Sequence, residues 1–271
     1  MTAPHAVSGT DEPLLVAQGV TKRFGGVVAL DGVSFTIRRG EIYGLIGPNG
    51  AGKTSLFNVL TGIYAPDGGQ FTFDGHTLAG LKPNEVAERG IARTFQNIRL
   101  FANLSAIENV MIGRHVRTHA TVIGAIFRDA RTRAEERAIE ERAHELLDYV
   151  GIGRRANDLA KHLAYGDQRR LEIARALATD PGLIALDEPA AGMNATETAG
   201  LKGLIENIRR DGVTILLIEH DMKLVMNVCD RVLVLDYGRK IAEGPAADVQ
   251  KDEKVIAAYL GGEVTLNLKD A

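Results

Sequence analysis

The sequence predicts an α/β fold: a mostly parallel sheet covered by helices, with a β-rich region ahead of it. Three observations carry this expectation. Leu183–Leu186, Val213–Ile218 and Val232–Leu235 are short apolar runs rich in β-branched residues, the composition of strands buried on both faces. Helical stretches at Asp167–Ala178, Ala195–Arg210 and Met222–Val228 alternate with them, as parallel strands joined by crossover helices must. The N-terminal part instead sets short strands close together between glycine-containing turns.

Taken in chain order, the leader Met1–Pro13 holds Pro4, Asp11, Glu12 and Pro13 and no apolar stretch, so it is expected to be a mobile tail and not a signal peptide. Leu14–Gln18, Val33–Ile37 and Ile42–Leu45 read as strands, the last two joined by a turn at Arg38–Glu41. Lys53–Leu60 reads as a helix opening directly from a glycine-rich loop. Gln70–Phe73 is a further short strand between the turn signals Gly68-Gly69 and Asp74-Gly75. From Arg131 to Val150 the apolar residues Ile139, Ala143, Leu146, Leu147 and Val150 recur at helical spacing among charges, so one face packs and the other is solvated.

Composition limits what the protein does. With 271 residues, 45% hydrophobic and 25% charged, the chain can bury a substantial core. A formal net charge of −3 gives no electrostatic footprint for nucleic acid, and no nucleic-acid partner is expected. Cys229 is the only cysteine, which excludes an intrachain disulfide and fits a reducing compartment. The longest apolar candidates, Ala120–Phe127 and Val213–Ile218, fall far short of the ~20 residues needed to span a bilayer.

The chemistry begins at Gly47-Pro48-Asn49-Gly50-Ala51-Gly52-Lys53-Thr54, followed by Ser55. This is G-x-x-x-x-G-K-[ST] between a predicted strand and a predicted helix, the context that gives the motif its meaning. Polyphosphate is densely anionic and must be wrapped closely. Glycines let backbone N–H groups turn inward, and the helix N-terminus adds its positive dipole end. Lys53 is expected to reach the β- and γ-phosphates and the Thr54 hydroxyl to ligate Mg²⁺. Leu183–Leu186 then ends in Asp187, Glu188 and Pro189. Two adjacent acids at the end of an apolar strand suit a magnesium-holding Asp187 and a Glu188 that orients or deprotonates an attacking water.

Over roughly residues 14–262 the chain resembles the ATP-binding cassette (ABC) ATPases. Gln96, in Ala92-Arg-Thr-Phe-Gln96, is similar to the Q-loop glutamine that contacts Mg²⁺ and the attacking water. Leu163-Ala164-Tyr165-Gly166-Asp167 resembles the signature that grips the γ-phosphate of ATP held by the opposite cassette. His220, after the strand ending at Ile218 and 32 residues beyond Glu188, resembles the switch histidine. Phe24 resembles the aromatic that stacks on adenine, and Ala191, Gly192, Met193 and Asn194 resemble the D-loop. The resemblance implies a P-loop NTPase (RecA-like) core, an N-terminal antiparallel β subdomain and an inserted helical subdomain at about 98–180. It implies one cassette over 14–265, with tails at 1–13 and 266–271.

Ala164 and Asp167 both depart from the usual Leu-Ser-Gly-Gly-Gln: Ala164 lacks the serine hydroxyl, and Asp167 either puts a carboxylate near the triphosphate or serves at the helix start as a favourable N-terminal acid. Longer runs resemble the ATP subunits of branched-chain amino-acid importers: Phe95–Phe101, Glu108–His115, Ala190–Asn194, the stretch Arg117–Arg137 and the ending Ile256–Gly262. Lipopolysaccharide-export and urea-import cassettes share parts of them. The resemblance implies ATP hydrolysis with Mg²⁺ at the cytoplasmic face of a membrane. The implied partners are a second cassette, with a heterodimer favoured, and permease subunits whose coupling helix meets Ile98–Glu108. A solute-binding protein is implied indirectly.

Overall fold

The computed structural model describes residues 12–114, 116 and 130–260. Most of the leader, residues 117–129 of the long lobe stretch, His115, the closing Gly261-Gly262 and the tail at 266–271 lie outside the described residues. Two sheets are present among them.

The N-terminal sheet is antiparallel, in the order β2-β1-β4-β5: β1 is Pro13–Phe24, β2 Val27–Arg38, β4 Gly68–Phe73 and β5 His76–Thr77. The two-residue turn Gly25-Gly26 closes β1 onto β2, with Phe24 opposite Val27. The second sheet runs β10-β9-β3-β8-β7-β6. Its strands are β3 (Ile42–Ile46), β6 (Ile91–Arg93), β7 (Leu183–Asp187), β8 (Thr214–Ile218), β9 (Arg231–Asp236) and β10 (Arg239–Pro245). Every pairing in it is parallel except that of β9 with β10.

The central strands separate two cores, because alternate side chains leave opposite faces of a strand. Tyr43, Leu45, Leu183, Ala185, Leu216, Ile218, Leu233 and Leu235 face the N-terminal sheet and α1 (Lys53–Leu60). Ile42, Ile46, Ile184, Leu186, Ile215, Leu217, Val232 and Val234 face the other way. That second core receives α3 (Ala106–Arg114), α4 (Ala130–Tyr149), α5 (Tyr165–Leu177), α6 (Ala195–Arg210) and α7 (Met222–Val228). Of the apolar residues expected to line α4 and its end, Ala143, Leu146, Leu147 and Val150 are buried in this core, and Ile139 is buried too. The short helices α2 (Pro83–Glu88), α8 (Ala246–Val249) and α9 (Glu253–Leu260) complete the described fold.

The Arg38–Glu41 turn joins β2 to β3 as expected, and it carries the chain from one sheet to the other: β2 pairs with β1, while β3 pairs with β8 and β9. All five β3 residues are buried, and only a central strand flanked on both sides satisfies that. The strand β10 was not anticipated, since Arg239-Lys-Ile-Ala-Glu-Gly-Pro has no apolar alternation. It is an edge strand, paired only with β9, and an edge tolerates its terminal Pro245.

The two-core arrangement makes the central strands sensitive to truncation. Leu217 is fully buried in mid-strand. Leu217→Ala is expected to cost about 2–5 kcal/mol of stability, read as a lowered midpoint in urea or thermal unfolding.

Candidate active site

Parallel strands end on the same edge of a sheet, and there their following loops meet. Ile42 pairs with Ile215 and Leu45 with Ile218; Asp187 pairs with Ile218; Arg93 pairs with Ala185. The ladder continues past the strands themselves. Thr94 N donates to Ala185 O at 2.9 Å, and Glu188 N donates to Ile218 O at 2.9 Å. Gln96 after β6, Asp187 at the end of β7 and Glu188 just after it, His220 after β8 and the glycine-rich loop after β3 are thereby delivered to one edge of the sheet.

The loop from Gly47 to Thr54 rises from β3 and runs into α1. Gly47 has φ 150°, and a Cβ on it would lie 2.2 Å from Leu235 O, so only glycine fits against β9 there. The turn after β9 clamps the loop from outside, with Gly238 N donating to Ala51 O at 2.9 Å. Lys53 is buried and donates to Gly47 O at 2.7 Å and Pro48 O at 3.1 Å. Burial pulls its ammonium below the usual lysine range, a shift opposed by the charges of Glu188 and Asp187. A cavity of about 380 Å³ opens over the loop. Asn49, Gly50, Ala51, Gly52, Lys53, Thr54 and Ser55 line it, with Gln96, Glu188, Tyr237 and Val27–Ala29.

Glu188 is the meeting point. Its Oε2 accepts from Gln96 Nε2 at 3.1 Å and lies 3.7 Å from His220 Nδ1. Its backbone sits at φ 46°, a left-handed conformation that costs a non-glycine residue energy and recurs at functional sites. Asp187 beside it is buried, and its N–H donates to Thr94 Oγ1 at 3.1 Å. Desolvation pushes its carboxyl up to about 6, partly offset by the cation of Arg93. The fully buried Glu219 accepts from Ala190 N at 2.8 Å and His220 N at 3.2 Å, holding the loops after β7 and β8 together.

The Leu163–Asp167 turn opens α5. Ala164 is its N-cap and makes no side-chain cap, while Asp167 occupies the first turn, where a carboxylate meets the positive end of the helix. The Tyr165 ring packs on Gly192: a Cβ there would lie 3.1 Å from Tyr165 Cε1. Asn194 caps α6, accepting from Glu197 N at 3.0 Å.

A family model described as "ABC transporter" matches residues 30–191, which is more than half of the chain. The chain belongs to the ABC transporter family. A second model, described as "Branched-chain amino acid ATP-binding cassette transporter", matches residues 239–265. Over 250 residues the cassette is 44% identical to the high-affinity branched-chain amino acid transport ATP-binding protein BraF of Pseudomonas aeruginosa, covering 92% of this chain and 98% of that one. Among solved structures it is similar to MJ1267, an ATP-binding cassette of an ABC transporter in its ADP conformation. That likeness has 32% identity and a TM-score of 0.80 over 92% of this chain and 99% of the other. It is also similar to a dimeric post-hydrolysis state of the cassette MJ0796 bound to ADP and Pi, at 26% identity and TM-score 0.73 over 86% and 98%. This cassette is an ATPase of a transporter.

Its fold gathers the loop residues Asn49–Ser55, Gln96 and Glu188 at one cavity, whereas Asp187 and His220, the latter with Nδ1 3.7 Å from Glu188 Oε2, are not among the residues lining the cavity. Phe24 is not among the residues lining it; the ring is partly exposed and meets Tyr64 edge-on at 5.2 Å. Tyr237, which lines the cavity and is exposed, was not singled out in the sequence. Nor were the buried charges that hold the site. Arg93 is pressed between the rings of Phe57 and Phe95, 4.4 Å from each, and donates to Thr61 Oγ1 at 2.7 Å, tying α1 to the segment before Gln96. Burial lowers its guanidinium to about 10. The signal for such residues is a charge inside an apolar period, as at Arg169 and Glu172 on the buried side of α5.

The Asp187 shift has a thermodynamic sign. A carboxyl whose folded-state pKa rises from 3.8 to about 6 binds protons more tightly in the folded protein, so stability declines as pH rises through that window. At neutral pH the burden is up to about 3 kcal/mol. Without nucleotide, Asp187→Asn is therefore expected to melt above the parent at pH 7.5, with the gap closing towards pH 4, as followed by thermal denaturation.

Proposed function

We propose that this cassette is the ATP-hydrolysing motor subunit of an importer of branched-chain amino acids. The observation that carries the hydrolytic reading is the convergence of Gln96 and His220 on Glu188 Oε2 above the phosphate loop. The solute reading rests on the near full-length likeness to BraF and on the match of the closing segment at 239–265.

Lys53 and the inward-facing loop amides of Gly47–Thr54 take the β- and γ-phosphates, with Ser55 beside them and Phe24 offered to the adenine. Glu188 orients the attacking water and accepts its proton, and Gln96 fixes the glutamate by its hydrogen bond. His220 faces the γ-phosphate. Little covalent chemistry falls to the protein in phosphoryl transfer, so positioning and charge stabilisation are what these residues supply.

The residues fit Mg²⁺. Thr54, Gln96 and Asp187 offer hard oxygen donors, and among the described residues no group of three or more His, Cys, Asp or Glu forms an all-protein cage. Few protein ligands, with the rest left to substrate phosphates, is how Mg²⁺ is usually held. Mg²⁺ held there would neutralise charge on the phosphate oxygens and favour the ionised form of the Asp187 carboxyl.

The signature Leu163–Asp167 completes the ATP site of a second cassette in a head-to-tail dimer, and Ala191–Asn194 lie at that interface as the D-loop. The MJ0796 dimer supports the pairing. A heterodimer is the preferred form, serving permease subunits fed by a solute-binding protein. The cassette is peripheral on the cytoplasmic face; no helix among the described residues is long and apolar enough to cross a membrane. A groove of about 390 Å³ beside the Q-loop, lined by Phe95, Phe101, Val86, Ile112 and Arg175 among others, suits a permease coupling helix. The half-exposed Phe101 offers it an apolar anchor.

Glu188→Gln is expected to bind ATP and elute as a long-lived dimer while turnover falls by about a hundredfold or more. Parental hydrolysis in that variant, measured by phosphate release, removes Glu188 from its role. Ala164→Ser restores a hydroxyl whose bond to a charged group is worth ~1.5–3 kcal/mol. It is expected to raise turnover of the transporter complex at saturating ATP; an unchanged rate shows that the missing hydroxyl does not limit it.

A further inference from the structure

Tyr165 stands where the usual signature has glycine, and its surroundings give it a purpose. The side chain is half exposed, so it is not a core aromatic. Its ring lies on Gly192, whose φ of +76° and bare Cα leave room for it. Next in the turn, Gly166 comes so close to α6 that a Cβ would lie 2.9 Å from Glu197 Oε1, the carboxylate whose other oxygen accepts from Asn194 N at 2.9 Å. The signature turn is thus seated on the D-loop of the same chain.

The other end of the tyrosine points to the Q-loop. Its hydroxyl accepts from Arg169 Nη2 at 3.1 Å, one helical turn on, and the guanidinium lies 5.5 Å from the ring centre. Arg169 is buried; it donates through Nη1 to Phe95 O at 2.7 Å and through Nη2 to Gln96 O. Its ion-pair partner, the buried Glu172 at 3.3 Å, accepts from Phe95 N at 3.1 Å and Arg99 N at 3.4 Å. A buried guanidinium cannot leave its carbonyls without stranding a charge in a low-dielectric interior, so α5 and the backbone at Gln96 move as one body.

We propose that Tyr165 and Arg169 are positioning residues that relay closure of the signature turn to Gln96, and through it to Glu188. Because the signature faces the partner's ATP while Gln96 serves this chain's own, the relay couples the two ATP sites of the dimer. This rests on the roles proposed above for Gln96, Glu188 and the signature. Phosphate binding does not pass through the relay, so its loss falls on turnover and not on ATP affinity.

The test is a double-mutant cycle on the cassette in complex with its co-purified permease subunits in proteoliposomes, reading kcat and KM for ATP. Tyr165→Phe keeps the ring on Gly192 and removes only the bond to Arg169. It is expected to lower kcat about fivefold to tenfold with KM changed less than about twofold and an unaltered melting temperature. Tyr165→Phe combined with Arg169→Lys is expected to lose no more than Arg169→Lys alone, since the hydroxyl acts through the guanidinium. Parental kcat in Tyr165→Phe overturns the relay, as does a loss shared with KM or melting temperature, or losses that multiply in the pair. Should Arg169→Lys fail to fold, Tyr165→Phe decides alone. Gln96→Ala separates the two levels: parental turnover there defeats the site reading, whereas its inactivity beside a fully active Tyr165→Phe defeats only the relay.

Discussion

The side-by-side parallel pairing of β6, β7, β8 and β3 is the constraint from which the rest of the molecule follows. Each of β7, β8 and β3 is buried along its whole length, so each needs neighbours on both sides and layers on both faces. The N-terminal sheet with α1 supplies one layer and the helices from α3 onward the other. A one-residue slip in any pairing would exchange the side chains facing the two cores, so the register is strongly specified. That same register brings the glycine-rich loop, Gln96 and Glu188 to one cavity and His220 to Glu188. The apolar packing therefore aligns the polar chemistry.

The site is then stiffened by charges held out of water. Asp187 at the end of β7, Glu219 after β8 and the Arg169–Glu172 pair are buried, and Arg93 between two aromatic rings is partly so. Each carries a desolvation cost, and the upward shifts at Asp187, Glu172 and Glu219 are its signature. Three of them are also bonded to loops that leave the sheet: Glu219 to the segment after Glu188, Arg169 and Glu172 to the segment around Gln96. Apolar residues would pack as well but would let these loops drift. Directional bonds to buried charges fix them.

The signature turn shows how a departure from a family pattern is accommodated. Replacing a glycine by Tyr165 would crowd an ordinary neighbour, yet the facing residue is Gly192. Losing a capping serine at Ala164 leaves α5 without a side-chain cap, and Asp167 in the first turn complements the helix end instead. The Leu163–Asp167 turn, the segment at Gly192 and the backbone at Phe95 and Gln96 are in consequence joined through Tyr165 and the buried Arg169.

The sequence by itself determined the α/β class, the main helices and central strands, and it singled out the glycine-rich loop at Gly47–Thr54 and the acids Asp187 and Glu188. Those features are written locally, in a 3.6- or 2-residue apolar period or in a glycine pattern whose purpose depends on few neighbours. Lys53–Leu60, Ala195–Arg210 and Met222–Val228 were legible to the residue for that reason. Only the tertiary structure decided that β2 and β3 part into different sheets, that Phe24 stands apart from the cavity lining while Tyr237 joins it, and that Arg93, Arg169 and Glu172 serve the site. Pairing partners and buried ion pairs depend on residues many positions away, and a charge in an apolar stripe acquires its meaning only from what folds against it.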